Sequence, residues 1–223
     1  DGEMARRRSR GSDRLTRISA LIDWDGISQV LAPVEPKATG KGKAAWPTLV
    51  LFRALLVQRW YDLSDEALEE ALADRLSFQR FCGLSVSDDI PDHSTFWRFR
   101  ERLGQAGLVE PLFAEMQRQL ETHNVLVKRG TLIDATLMQA AARRPRKEEG
   151  KTSKTDPDAR FGTNNERGRF EFGYKAHIGM DAGTGLVRSQ VLTPANVQEV
   201  TQAQALIAGD EAEVLADRGY DAR

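Results

Sequence analysis

The hydrophobic pattern along this chain changes its period once. From Pro47 to about His123, apolar residues recur every three or four positions, the spacing of helices that bury one face. Leu49, Phe52, Leu56 and Trp60 form the first stripe, with Leu55 beside them and Pro47 suited to the first turn. Leu68, Ala71, Leu72 and Leu76 form the second. Ser64 is its expected N-cap, Asp65 and Glu66 its acidic first turn, and Gly83 its end. Pro91 to Thr95 reads as a turn and cap for a third helix on Phe96, Phe99 and Leu103, which Gly104 and Gly107 close. Pro111 opens a fourth, with Leu112, Met116 and Leu120 on one face. Ahead of these, residues 1–20 are rich in Arg, Ser and Gly and are expected to be disordered. Residues 21–32 carry Leu21, Ile22, Trp24, Ile27, Val30 and Leu31, enough for a short helix. Pro33, Pro36 and the Thr39-Gly40-Lys41-Gly42-Lys43 run then read as a loop.

After Gly130 the period becomes that of strands. Thr131 to Met138 reads as one strand, and the polar, basic stretch 139–169 as a long loop. Phe170 to Met180 alternates, with Phe170, Phe172, Tyr174, Ala176, Ile178 and Met180 on one face. Asp181 to Gly185 is a hairpin turn and Leu186 to Leu192 the returning strand. Pro194 breaks it, and Asn196 caps a helix carrying Val197, Val200, Ala203 and Ile207 that ends at Gly209. Glu213 to Ala216 is a last strand. The expected fold is α+β or α/β. A basic, partly disordered arm (1–46) precedes a helical domain (47–124), and a mixed sheet with a crossover helix (125–223) follows. A right-handed crossover returns the last strand beside the first, parallel to it.

That topology makes two acids notable. Asp134 sits mid-strand in Thr131-Leu132-Ile133-Asp134-Ala135-Thr136-Leu137, and Asp217 ends Val214-Leu215-Ala216. A carboxylate among apolar strand residues is costly without a counter-charge, and two brought together call for a cation. Hard oxygen donors suit Mg2+ or Mn2+, and two such ions can activate the attacking oxygen and stabilise the leaving one in phosphodiester chemistry. The alternative for Asp217 is a turn or cap residue. Lys175 and His177 lie two apart on one strand face. They are candidates to contact phosphate or metal-bound water, or else form a polar outer face. Helices 64–82 and 94–103 are compatible with a helix-turn-helix DNA reader or with a plain bundle whose arginines face water.

Net charge is −1, so overall charge selects no partner, but basic residues cluster in Arg6–Arg17 and again from Arg143 to Lys175. One cysteine, Cys82, rules out an internal disulfide and fits a reducing compartment. With three scattered histidines (His93, His123 and His177) the sequence offers no zinc pattern. No apolar run is long enough for a membrane span. The chain opens on Asp1, which reads as a fragment.

Five stretches in this order resemble one family. They are Pro91-Asp92-His93-Ser94-Thr95-Phe96-Trp97-Arg98-Phe99-Arg100, Leu132-Ile133-Asp134-Ala135-Thr136, Phe172-Gly173-Tyr174-Lys175-Ala176-His177, Thr193-Pro194-Ala195-Asn196-Val197 and Ala216-Asp217-Arg218-Gly219-Tyr220-Asp221. The chain resembles the DDE transposases of bacterial insertion sequences, in the groups around insertion sequences five and four. The resemblance implies an RNase H-like catalytic fold and two Mg2+ (or Mn2+) ions. It further implies cutting and joining of double-stranded DNA at terminal inverted repeats and target DNA by a homo-oligomer in the bacterial cytoplasm, at the nucleoid. It makes Asp134 and Asp217 the first two acids of a triad. The third, a Glu on a downstream helix, has no counterpart before Arg223, so a C-terminally truncated member is expected. Lys175, His177, Gly219 and Tyr220 become candidate supports of the site. Trp97, Arg98, Arg100, Arg143, Arg144 and Lys175 become candidate DNA contacts. The rival readings are a non-catalytic DNA-binding remnant or inhibitor of transposition, and a host nuclease on the same fold.

Overall fold

A computed structural model describes residues 10–36, 45–126, 128–146, 152–164, 169–217 and 220. The Thr39–Lys43 run, Arg6 to Arg8, and Gly219 lie outside the described residues. The chain divides into two compact units, Asp1–Gln119 and Leu120–Arg223.

The first unit is built from helices α1 (Arg10–Leu21), α2 (Trp24–Leu31), α3 (Thr48–Trp60), α4 (Asp65–Asp74), α5 (Leu76–Cys82) and α6 (His93–Gln105), and most of α7 (Val109–Thr122). Helix α3 is buried on several sides, with Leu51, Phe52, Ala54, Val57 and Gln58 all inside, as expected of the central helix of a bundle. Around it pack Leu68 and Leu72 of α4, Phe78 and Phe81 of α5, and Phe96, Phe99 and Leu103 of α6. The expected caps form. Ser64 accepts from the Ala67 amide, and Asp92 accepts from the Thr95 amide at 2.7 Å. The hydroxyl of Ser94 and that amide hold the Asp92 carboxyl down at about 2.

Two expectations fail here. Residues 1–20 are not disordered throughout, because α1 starts at Arg10. Leu15 is buried in the common core, with Ile18 and Ile22 against it. The arginine-rich composition hid an apolar stripe at positions 15, 18 and 22, and with Ile27 and Leu31 also inside, this stretch belongs to the helical core. The predicted single helix from Ser64 to Cys82 breaks at Arg75, which is extended (φ −109°, ψ 102°). The buried Gln79 side chain donates to the freed carbonyls of Leu72 and Ala73, so the break is satisfied from within. Leu76, expected in the stripe, is consequently exposed. Gly83, left-handed at φ +82°, ends α5 where an L side chain would be strained.

The second unit is a sheet of β1 (Gly130–Gln139), β2 (Arg160–Asn164), β3 (Arg169–Asp181), β4 (Val187–Pro194) and β5 (Glu213–Ala216). β3 runs antiparallel to β1 along one edge, while β2 and then β4 share its other edge. β5 lies parallel on the far side of β1. The return between β4 and β5 contains a 3-10 turn at Glu199–Gln202 and a one-turn helix α8 (Ala203–Leu206). Both units together give an α+β protein.

Three expectations are corrected here. The stretch 139–169 is not all loop: Phe161 packs on Phe172 with ring centroids 5.1 Å apart and anchors β2 to β3. The helix expected from Asn196 to Gly209 is much shorter, and it buries Leu206 instead of Ile207. The even-numbered face of β3 is not the covered one beyond Phe172. His177 is fully buried while Phe170 is exposed. The cause is Gly179, where a side chain would meet the Leu206 carbonyl and the Ser189 hydroxyl. Its bareness lets α8 press on the odd-numbered face. Buried Asp181 then locks the hairpin base, accepting from the Lys128 amide at 2.7 Å and from Thr184.

Candidate active site

The strand register decides which acids can cooperate. On β1 and β5, Gly130 pairs with Glu213, Thr131 with Val214, Leu132 with Leu215 and Ile133 with Ala216. Each pair is separated by 83 positions, the same interval as Asp134 to Asp217 (217 − 134). The register therefore runs into Asp134 on β1 and Asp217 directly after β5. Paired positions of neighbouring strands share a face, with backbones about 4.8 Å apart. Both acids are exposed. Asp134 accepts from the Ala135 amide at 2.7 Å, which orients its carboxylate near its own strand.

Tyr220 follows Asp217 and shares its electrostatic surroundings. Its hydroxyl is buried without a hydrogen-bond partner. Burial first, then the carboxylates of Glu199, Asp134 and Asp217, push its ionisation above the ordinary phenol range. Three carboxylates remote in sequence thus act on one hydroxyl.

Lys175 and His177 stand elsewhere. β1 and β3 pair Asp134 with Ile178, Ala135 with His177 and Leu137 with Lys175, so both basic side chains project from the other face of the sheet. There Lys175 Nζ lies 3.0 Å from Glu199 Oε1, and Lys175 is nearly buried. His177 Nε2 lies 2.9 Å from Thr193 Oγ1, while Nδ1 has no partner. Burial, and then the Lys175 charge, lowers the affinity of His177 for a proton. Glu199 is the participant that sequence reading missed. The fold brings it onto Lys175 and within electrostatic reach of Tyr220, and no spacing pattern announced it.

The candidate DNA contacts divide as well. Trp97 and Arg98 are exposed on α6. Arg100 instead turns inward, with Nη1 donating to Asp65 Oδ1 at 2.8 Å and to Gln58. Arg143 and Arg144 are exposed, the Arg144 guanidinium lying 5.7 Å from the Phe161 ring centroid.

The family described as Transposase domain (DUF772) matches residues 3–102, and the family described as Transposase DDE domain matches residues 126–223. The chain belongs to the DDE transposases of insertion sequences. No solved structure matches it. Membership ties this transposase to DNA transposition and to DNA as its partner, and DDE transposases typically use divalent metal ions. The donor set here fits such an ion in kind, since carboxylate oxygens are what Mg2+ and Mn2+ prefer. Among the described residues, no three His, Cys, Asp or Glu groups form a ready metal cage. No helix among them is long and apolar enough to cross a membrane.

Proposed function

We propose that the chain carries the first two catalytic acids of an RNase H-like transposase, Asp134 and Asp217, which hold Mg2+ or Mn2+ for cleavage and strand transfer at insertion-sequence ends. The observation that carries this reading is the parallel register of β1 and β5, whose last pair, Ile133 with Ala216, stands one residue before each acid. The sheet order supports the fold assignment: a long antiparallel β3–β4 hairpin beside β1, then a crossover to parallel β5. When bound, the metal supplies charge neutralisation and activation of the attacking oxygen. The chain's own part is to fix two carboxylates at one sheet end. Tyr220 offers a phenolic proton to a phosphate oxygen arriving beside them. Lys175 and His177 act from the far face, Lys175 by holding Glu199. Trp97, Arg98, Arg143 and Arg144 contact the DNA. Arg100 braces α6 against α4.

The test is nicking of a supercoiled plasmid with Mg2+ or Mn2+, comparing the chain with Asp134→Asn and Asp217→Asn. Metal-dependent nicking lost in both variants supports the reading. A second reading is DNA binding without cleavage, for which the exposed Trp97, Arg98, Arg143 and Arg144 are the candidate contacts. It predicts salt-sensitive DNA binding and no nicking with either metal.

A further inference from the structure

Helix α6 presents a surface that the fold does not need. Phe96, Phe99 and Leu103 supply its buried stripe, yet Trp97, one position along, is 56% exposed. A large aromatic left in water on a helix with a complete apolar face points to a guest. Trp97 borders a cleft of about 570 Å³ within the helical unit, a volume in the range of small-molecule sites. Trp46 forms another part of its wall, and its ring leans partly on the core. Arg98 and Arg102 also line it, against one acid, Glu101. The Arg98 guanidinium is tethered to Ser94 Oγ at 2.7 Å, one turn back on the helix, and so is held over this surface.

We propose that this cleft takes a single unstacked nucleotide of the DNA substrate, its base against the indoles of Trp97 and Trp46 and its phosphates on Arg98 and Arg102. The inference rests on DNA being the substrate and adds which form of DNA is read. Indoles recognise a nucleobase by its face, and a base offers its face only when it has left the stack. The surplus of guanidinium over carboxylate matches the charge of the nucleotide's phosphates. The site therefore prefers single-stranded or distorted DNA to a relaxed duplex, and it sits on a unit that carries neither Asp134 nor Asp217.

The experiment is a tryptophan-fluorescence titration of the chain with an oligo-dT of about 15 nucleotides, a length that spans a typical single-strand site, and with a blunt duplex of equal length. The expected result is quenching by the single strand, and less by the duplex. Trp97→Ala should weaken single-strand binding roughly tenfold and remove most of the quenching. Trp97→Phe should recover part of the affinity, with all three proteins melting alike. Single-strand binding and quenching that survive Trp97→Ala, or a duplex that quenches equally, would overturn the proposal while leaving the transposase reading standing. A chain that binds neither form of DNA would overturn both.

Discussion

The two units solve the burial problem differently. The helical unit closes around aromatic and aliphatic side chains, with Phe96, Phe99, Ile27, Leu51, Leu68 and Leu72 almost wholly removed from water. In the sheet unit the residues most fully buried include Thr131, His177 and Asp181, while Leu132, Met138, Phe170, Leu192 and Leu215 are exposed. The helical unit stands on apolar packing. The sheet unit stands on ladder hydrogen bonds and buried polar ties. Its two candidate acids are exposed and lie outside the buried residues. Stability and chemistry should therefore separate by unit under mutation.

The largest separation concerns the acids. Asp134→Asn and Asp217→Asn should each lower metal-dependent nicking by about 10³-fold, the scale of removing a group that acts on transition-state charge. Melting should change little, since both carboxylates are exposed and outside the buried core. Co-loss of stability and activity would break the contrast.

Next comes packing. Phe96→Ala in the helical core should cost about 3–5 kcal/mol, the range for truncating a buried aromatic. Leu192→Ala on the exposed sheet face should stay within about 0.5 kcal/mol. Urea unfolding of each variant checks both values.

A smaller contrast lies within α6. Arg100→Ala should cost about 1 kcal/mol, a modest figure because the Arg100–Asp65 pair is partly exposed. It should leave the salt dependence of DNA binding as it was. Arg98→Ala should leave stability unchanged and reduce the slope of log affinity against log salt by about one. Two residues apart on one helix, they are assigned opposite duties, and melting plus salt titration separates them.

The smallest effect is a pH dependence. His93 Nδ1 lies 3.0 Å from Glu69 Oε2, and the His93 amide also donates to that oxygen at 2.8 Å. Glu69 raises the proton affinity of His93, and the His93 amide and ring lower the pKa of Glu69. The histidine's contribution is fully present below its unfolded value of about 6.5 and fades as pH rises through the raised folded value. The glutamate's is present above its unfolded value and fades as pH falls through the lowered one. The stability gap between the chain and His93→Ala should thus be greatest at mildly acidic pH and shrink on both sides, measured as melting temperature against pH.

Much of this organisation is legible in the sequence, and the exceptions have physical causes. Regular stripes with strong caps, such as Ser64 and Asp92, mark helices because the cap and the stripe agree. The change of period at Gly130 marks the sheet for the same reason. The break at Arg75 stayed hidden because its compensation is a side chain, Gln79, reaching back to another helix. The burial of His177 stayed hidden because it depends on a bare Gly179 admitting α8. Within the site, Asp134 and Asp217 stand out as acids in apolar strands. Glu199 does not, since its relation to Lys175 and Tyr220 is created only by the turn after β4.

Asp134 and Asp217 are proposed to share a divalent ion. Iron-directed cleavage tests this most directly: Fe2+ replaces Mg2+ in the DNA-bound chain, ascorbate and peroxide generate radicals at the bound metal, and the cut sites are mapped. The account predicts cuts in the backbone near both 134 and 217, suppressed by excess Mg2+ and lost together in Asp134→Asn. Cuts near one acid alone, or cuts near 217 that persist in Asp134→Asn, would contradict it.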